Sequence, residues 1–245
     1  MLFVANWKMF FTTSEAIAFF ARNRDGYAEL VQGGAEILVC PSLPALAPLK
    51  KITEEAGIAL GAQSYMPFER GAYTGCVGVD DLVDLGCGYC LVGHSEQRLY
   101  CGETDDDVAR KAVILACSGI TPIVCIGENR SEREEGLTQQ VIINQLTKVF
   151  AGLARRPTVL YVAYEPVWAI GTGLIPTAAQ IEEVFCWIEE IALSYSNVQL
   201  HLLYGGSVSA KNSLELCKIP NLAGFLIGKA SLDFQEFEKI VHCSF

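Results

Sequence analysis

Short apolar runs recur along this chain without a clean alternation of apolar and polar positions. They are "LFVAN" (2–6), "EILVC" (36–40), "IALGAQ" (58–63), "YCLVG" (89–93), "PIVCIG" (122–127), "VLYVAYE" (159–165), "LHLLYGG" (200–206) and "AGFLIG" (223–228). Runs this short, rich in Val, Ile, Leu and aromatics, predict strands buried on both faces, as in a parallel sheet. Between them the apolar spacing becomes helical, for instance over 104–118, 137–151 and 177–194. Two of these helices carry start signals: Thr104 precedes Asp105, Asp106 and Asp107, and Thr177 follows Pro176. The three aspartates suit the positive end of a helix better than a metal ion. Eight strands alternating with helices, with no linker or low-complexity stretch, predict an α/β fold with one domain over 1–245, a closed (β/α)8 barrel. An open doubly wound sheet is the alternative, but no G-x-G-x-x-G or P-loop follows an early strand.

Composition agrees with that picture and narrows the partners. A chain of 245 residues that is 51% hydrophobic can bury a large core, and disorder is excluded. The formal charge of −10 argues against nucleic acid or an anionic membrane as partner, while a small anionic substrate needs a locally positive site. No apolar run approaches the ~18–20 residues of a membrane span. The opening "MLFVANWKMFFTTSEAIAFFA" is interrupted by Asn6 and Lys8 with no basic segment before it, which predicts a buried strand and a helix, not a signal peptide. The ten cysteines are scattered, mostly in apolar contexts, as expected of reduced core thiols in a cytoplasmic protein. "CGYC" (87–90) has redox spacing, but its second Cys falls inside a predicted strand and no second pair or His cluster completes a metal site.

Chemistry in such a barrel belongs at the C-terminal ends of the strands. Those ends hold Asn6 and Lys8 after the first strand, His94 after the fourth and Glu165 after the sixth. The seventh and eighth end in Gly205, Gly206 and Ser207, and in Gly228 and Lys229. Glu165 sits where a general base is needed, with burial under a lid expected to raise its pKa. The alternative is a helix cap or a partner for Lys8. His94 precedes a short helix, "SEQRLY", whose N-terminal amides disfavour imidazolium, so a neutral hydrogen-bond donor is expected; a satisfied surface histidine is the plainer reading. Glu96 has two roles open, anchoring Lys8 or carrying a proton. Lys8 brings positive charge, and the glycine turns after strands seven and eight offer backbone N–H groups of the kind that hold phosphate. Finally, "PVWAIGTG" (166–173) places an apolar tip between Pro166 and the glycines Gly171 and Gly173, the pattern of a hinged, water-excluding lid over about 166–176.

Together these stretches resemble the triosephosphate isomerase family, the family after which the TIM barrel is named. The resemblance runs through "NWKM" (6–9), "GAQ" (61–63), "GAYTG" (71–75), "VGHSE" (92–96), "CIGE" (125–128), "AYEPVWAIGTG" (163–173), "YGGSV" (204–208) and "GFLIG" (224–228). It implies a cofactor-free, metal-free interconversion of dihydroxyacetone phosphate and D-glyceraldehyde 3-phosphate. Glu165 would move the proton, and His94, Asn6 and Lys8 would stabilise the enediolate. Gly171, Ser207 and the turn at Gly228 and Lys229 would hold the phosphate. The resemblance further implies a homodimer through a loop at about 64–78, with Thr74 at its inserted tip.

Several positions depart from the family's pattern. Phe10 stands for Asn, Ala5 for Gly, and Lys229 for the second of two glycines at the phosphate turn. A backbone N–H survives that last change, and the ammonium either adds attraction or points to solvent. Cys76 and Gln97 replace a Glu and an Arg that pair across the family's dimer interface; losing both together strands no charge, so the dimer is expected to persist. Another phosphate-binding barrel, such as an aldolase, would need a Schiff-base lysine on a strand, and none is evident. A barrel that has lost catalysis is the third reading.

Overall fold

Alternate residues of the first strand part company. Leu2 and Val4 join one buried cluster, while Phe3 and Ala5 join another. That split is the signature of a strand whose two faces are both covered. In the computed structural model, which describes residues 1–169 and 175–244, eight such strands form one closed parallel barrel. They are β1 (Leu2–Asn6), β2 (Glu36–Cys40), β3 (Ala59–Ala62), β4 (Tyr89–Val92), β5 (Thr121–Ile126), β6 (Thr158–Tyr164), β7 (Val198–Tyr204) and β8 (Leu222–Ile227). Each pairs with its neighbour in sequence, and β8 closes onto β1 with Leu2 opposite Gly224 and Ala5 opposite Ile227. The fold is a single-domain (β/α)8 TIM barrel.

The helices follow in order: α1 (Thr13–Gln32), α2 (Leu43–Glu55), α3 (Val79–Asp84), α4 (Ser95–Cys101), α5 (Asp105–Cys117), α6 (Arg130–Glu134), α7 (Thr138–Leu153), α8 (Ala178–Ala192), α9 (Ser213–Leu216) and α10 (Phe234–His242). Single turns of 3-10 helix cover Val167–Ala169 and Lys229–Leu232. Local chemistry explains the helix starts. Thr12 with Glu15, Thr104 with Asp107 and Thr177 with Gln180 each form a reciprocal capping box. The aspartates of α5 are thereby accounted for: Asp107 caps, Asp105 pairs with Arg98 and Asp106 with Lys148. No group of metal-ligating side chains occurs among the described residues, and no described helix is long and apolar enough to cross a membrane.

The inner cluster fills the barrel with Leu, Val, Ile, Ala, Cys and Tyr side chains, and none of the eight strands carries a lysine. The outer cluster lies between sheet and helices. Cys87 and Cys90 are buried and free. Closure of the barrel is tight. A Cβ on Gly224 would fall onto the Leu2 carbonyl, so β1 and β8 approach only because that position is glycine. Gly224→Ala is expected to cost about 3 kcal/mol, as overpacking at a rigid seam does. A urea midpoint lowered at unchanged slope would show it, and an unchanged midpoint would contradict the close approach.

Candidate active site

Asn6 ends β1, and the chain turns at once. Lys8 follows with φ of 49°, a left-handed conformation that side chains rarely adopt. Three contacts hold it there. Its N–H donates to Asn6 Oδ1 (3.1 Å), and its carbonyl accepts from Gln63 Nε2 (2.8 Å). Gln63 also donates to the Cys40 carbonyl (2.9 Å). The ammonium donates to Glu96 Oε1 at 2.7 Å. Of the two roles open for Glu96, anchoring Lys8 is the one the geometry displays. Behind the turn, Trp7 packs edge-on against Phe11 and Phe19, fixing it to α1.

His94 caps α4. Its Nδ1 accepts the Glu96 N–H at 3.2 Å, so that nitrogen carries no proton and the ring's hydrogen lies on Nε2. Nε2 faces Glu165 Oε1 at 3.0 Å, and both side chains are buried. The second oxygen of Glu165 accepts the Ser95 N–H at 3.1 Å. Space for this carboxylate comes from two glycines. A Cβ on Gly205 would lie 2.9 Å from Glu165 Cγ, and one on Gly127 would collide with the Glu165 carbonyl.

These contacts act against the burial of Glu165. Burial pushes its pKa up, the hydrogen bond from His94, the Ser95 amide and the charge of Lys8 draw it down, and the net direction without a closed lid is down from 4.5. On His94, burial disfavours the charged form, whereas the Glu165 carboxylate, by charge and by hydrogen bond, draws the pKa up; Lys8 opposes and Glu96 adds. The net direction is up from 6.5, and the upward pull on the imidazole comes mainly from Glu165.

The glycine turns also read differently in three dimensions. The Gly205 N–H is already spent on the Tyr164 carbonyl (2.8 Å), which continues the β6–β7 ladder one bond past Tyr204. A Cβ on Gly206 would collide with the Tyr204 phenol, so packing alone requires glycine at that position. Gly228 differs. A Cβ there would lie 3.3 Å from Lys8 Cε and 3.8 Å from its nitrogen, so this turn sits beside the ammonium. Lys229 is exposed and has no positive φ, so the backbone there accepts a side chain in place of glycine. Ser207 is exposed at the same rim, its carbonyl held by Asn212 Nδ2 (2.9 Å). Gly171 lies outside the described residues.

Reading strand tips overlooked three contributors. Ser95 acts through its backbone, which residue type does not reveal. Gln63 follows β3 directly, inside the quoted "GAQ", and only its contacts show that it braces Lys8. Glu128, in "CIGE", is wholly buried and accepts from Tyr164 Oη (3.1 Å), Trp168 Nε1 (2.8 Å) and Arg133 Nη1 (3.1 Å). It thereby fastens the described start of the 166–176 segment.

A cavity of about 890 Å³ opens at the opposite end of the barrel, between α8 and the starts of β7 and β8. It brings no such carboxylate, imidazole and ammonium together, so the rim is the candidate site. A sequence model of triosephosphate isomerase matches residues 1–244. The chain belongs to the triosephosphate isomerase family. It is 42% identical over 242 residues to triosephosphate isomerase of Carboxydothermus hydrogenoformans, covering 96% of this chain and 95% of that one. It is 40% identical over 247 residues to that of Endomicrobium trichonymphae (99% and 98% covered) and 38% over 246 residues to that of Aquifex aeolicus (98% of each).

For a member of this family the resting geometry carries a testable sign. A depressed Glu165 pKa means that its ionised form stabilises the ligand-free fold above 4.5, a contribution lost as pH falls through the lowered value. A ¹³C-carboxyl NMR titration is expected to place the Glu165 midpoint below 4.5 in the native chain and to move it upward in His94→Ala, where the largest lowering cause is gone. An unmoved midpoint would contradict the contact.

Proposed function

We propose that this chain interconverts dihydroxyacetone phosphate and D-glyceraldehyde 3-phosphate through an enediolate, without a cofactor, as a step of glycolysis and gluconeogenesis. The observation that carries the reading is the convergence of a buried carboxylate, an Nε2–H imidazole and an ammonium on one barrel rim. Membership of the triosephosphate isomerase family over nearly the whole chain supports the same reaction.

The chemistry follows from these contacts. At 3.0 Å from His94, Glu165 leaves no room for a carbon between them, so the carboxylate swings aside as substrate enters. The carbonyl oxygen then takes its place at Nε2–H. With Glu165 withdrawn, the imidazole loses its main upward pull; burial and Lys8 keep it neutral, a donor to the developing enediolate. Glu165, freed from the donors that made it weakly basic, removes the proton next to the carbonyl and returns it to the neighbouring carbon. Lys8 offsets the charge that develops on oxygen, Glu96 keeps it oriented, and Asn6 fixes its backbone. Phosphate rests on the turn at Gly228 and Lys229, with Ser207 and Gly171 beside it. The segment at about 166–176 closes over the site and excludes water; the Trp168–Glu128 bond supports Trp168 as one fixed end of that motion.

Assembly and location belong to the same proposal. Met9 (94% exposed), Phe10 (59%), Tyr73 (48%) and Tyr100 (78%) put apolar surface on the loops after β1 and β3 and on α4. Surface of this kind supports a homodimer through loop 64–78. Cys76 and Gln97 line one cavity of about 410 Å³ beside that loop, a socket for the partner's tip at Thr74. The ten cysteines, all free, fit a reducing cytoplasm.

Two measurements test the proposal. Glu165→Asp, one methylene shorter, is expected to lower kcat on glyceraldehyde 3-phosphate by about 10²-fold with little change in KM. Turnover equal to the native chain would remove Glu165 as the base, and a native chain without turnover would leave a barrel that has lost catalysis. Sedimentation at micromolar concentration is expected to give a dimer despite the missing Glu–Arg pair. A monomer would sink that part.

A further inference from the structure

Away from the rim, Glu103 and Lys111 form an ion pair at 2.6 Å with side chains only 3% and 6% exposed. Buried pairs seldom repay their desolvation, so their other contacts matter. Glu103 Oε2 accepts the Gly93 N–H at 2.8 Å, one residue before His94. Arg98 Nε grips the other side of Gly93, donating to its carbonyl at 2.7 Å. Gly93 has φ of +74°, and a Cβ there would lie 2.9 Å from Arg98 Nη2, the Cys125 carbonyl and Val108 Cγ2. The two peptide groups that flank Gly93 on the way to His94 are therefore each held at one polar atom, and the residue is wedged around its Cα. On the far side, the Lys111 ammonium reaches Ser64 Oγ (3.2 Å), and the Tyr65 hydroxyl donates to the Lys111 carbonyl (2.8 Å). Ser64 and Tyr65 begin the 64–78 loop.

We propose that Glu103 and Lys111 are positioning residues for His94: the pair fixes the Gly93 peptide, and through it the imidazole, and ties both to the root of loop 64–78. This rests on the isomerase reading above. The count of donors and acceptors makes it specific. Each carboxylate oxygen of Glu103 accepts from a different donor, the ammonium on Oε1 and the Gly93 N–H on Oε2. Glutamine has one acceptor oxygen, and the charged lysine takes it. The amide NH2 then faces the Gly93 N–H, donor against donor, and the peptide must shift. Replacing Lys111 as well releases the glutamine oxygen to return to Gly93.

The test compares the native chain, E103Q and E103Q/K111M by steady-state isomerisation, by ¹⁵N spectra of the His94 ring and by urea unfolding. E103Q is expected to lose kcat about tenfold or more with KM within about twofold, and to displace the His94 Nε2–H resonance. The double variant is expected to regain most of kcat and the native ring spectrum. A pair with a merely structural role would lower the unfolding midpoint in both variants and leave the ring spectrum alone. Native kcat and spectrum in E103Q, or a double variant no better than the single, overturns the proposal. Should E103Q fail to fold, a folded double variant with native kcat supports it and one that has lost kcat overturns it. A native chain inactive on triose phosphates would instead sink the isomerase reading, while a ring shift between native and E103Q would still report the positioning.

Discussion

A carboxylate taken out of water stays ionised only where donors and positive charge surround it. Glu165 is 2% exposed, and the rest of the rim is arranged around that fact. His94 and the Ser95 amide each take one of its oxygens, and Lys8 adds charge nearby. These groups arrive from β1, β4 and β6, far apart in sequence, and a closed barrel is what makes them neighbours. The same satisfaction makes the resting anion a poor base. Stability of the resting site and reactivity toward substrate therefore pull against each other, a conflict that the proposed swing of Glu165 would resolve.

Positions that do not react carry much of this arrangement. Lys8 occupies a backbone conformation that costs of order 1–3 kcal/mol, offset by the contacts of Asn6, Gln63 and Glu96. Glycines 127 and 205 contribute by what they lack, leaving the volume that Glu165 fills. His94 owes its tautomer to the first turn of α4 and its direction to the Gly93 peptide. Each is a case of ordinary chain geometry fixing a reactive group before any ligand is present.

The barrel was legible because strands buried on both faces leave unbroken apolar runs, and all eight runs correspond to strands to within a few residues. Glu165, His94 and Lys8 were legible because a barrel collects strand tips, so listing tips lists neighbours. What escaped was relational. Ser95 contributes a backbone N–H, and any residue but proline would supply one. Gly205 looked like a phosphate donor because its N–H seemed unengaged, yet the β6–β7 ladder consumes it. Burial of Glu165 was foreseeable, whereas the three neighbours that oppose its effect on the pKa, counted together, were not.

Charge at the rim gives the Lys229 departure a meaning on the proposed reading. The chain carries −10 overall, and screening beyond about 8 Å leaves an incoming dianion to respond mostly to nearby groups. Lys8 is bound to Glu96 at 2.7 Å, and Glu165 is ionised, so one ammonium faces two carboxylates in the empty site. Lys229, exposed at the head of the turn after β8, adds a second ammonium at this end of the barrel. Because φ at 229 is not left-handed, the chain gains this charge without giving up the turn.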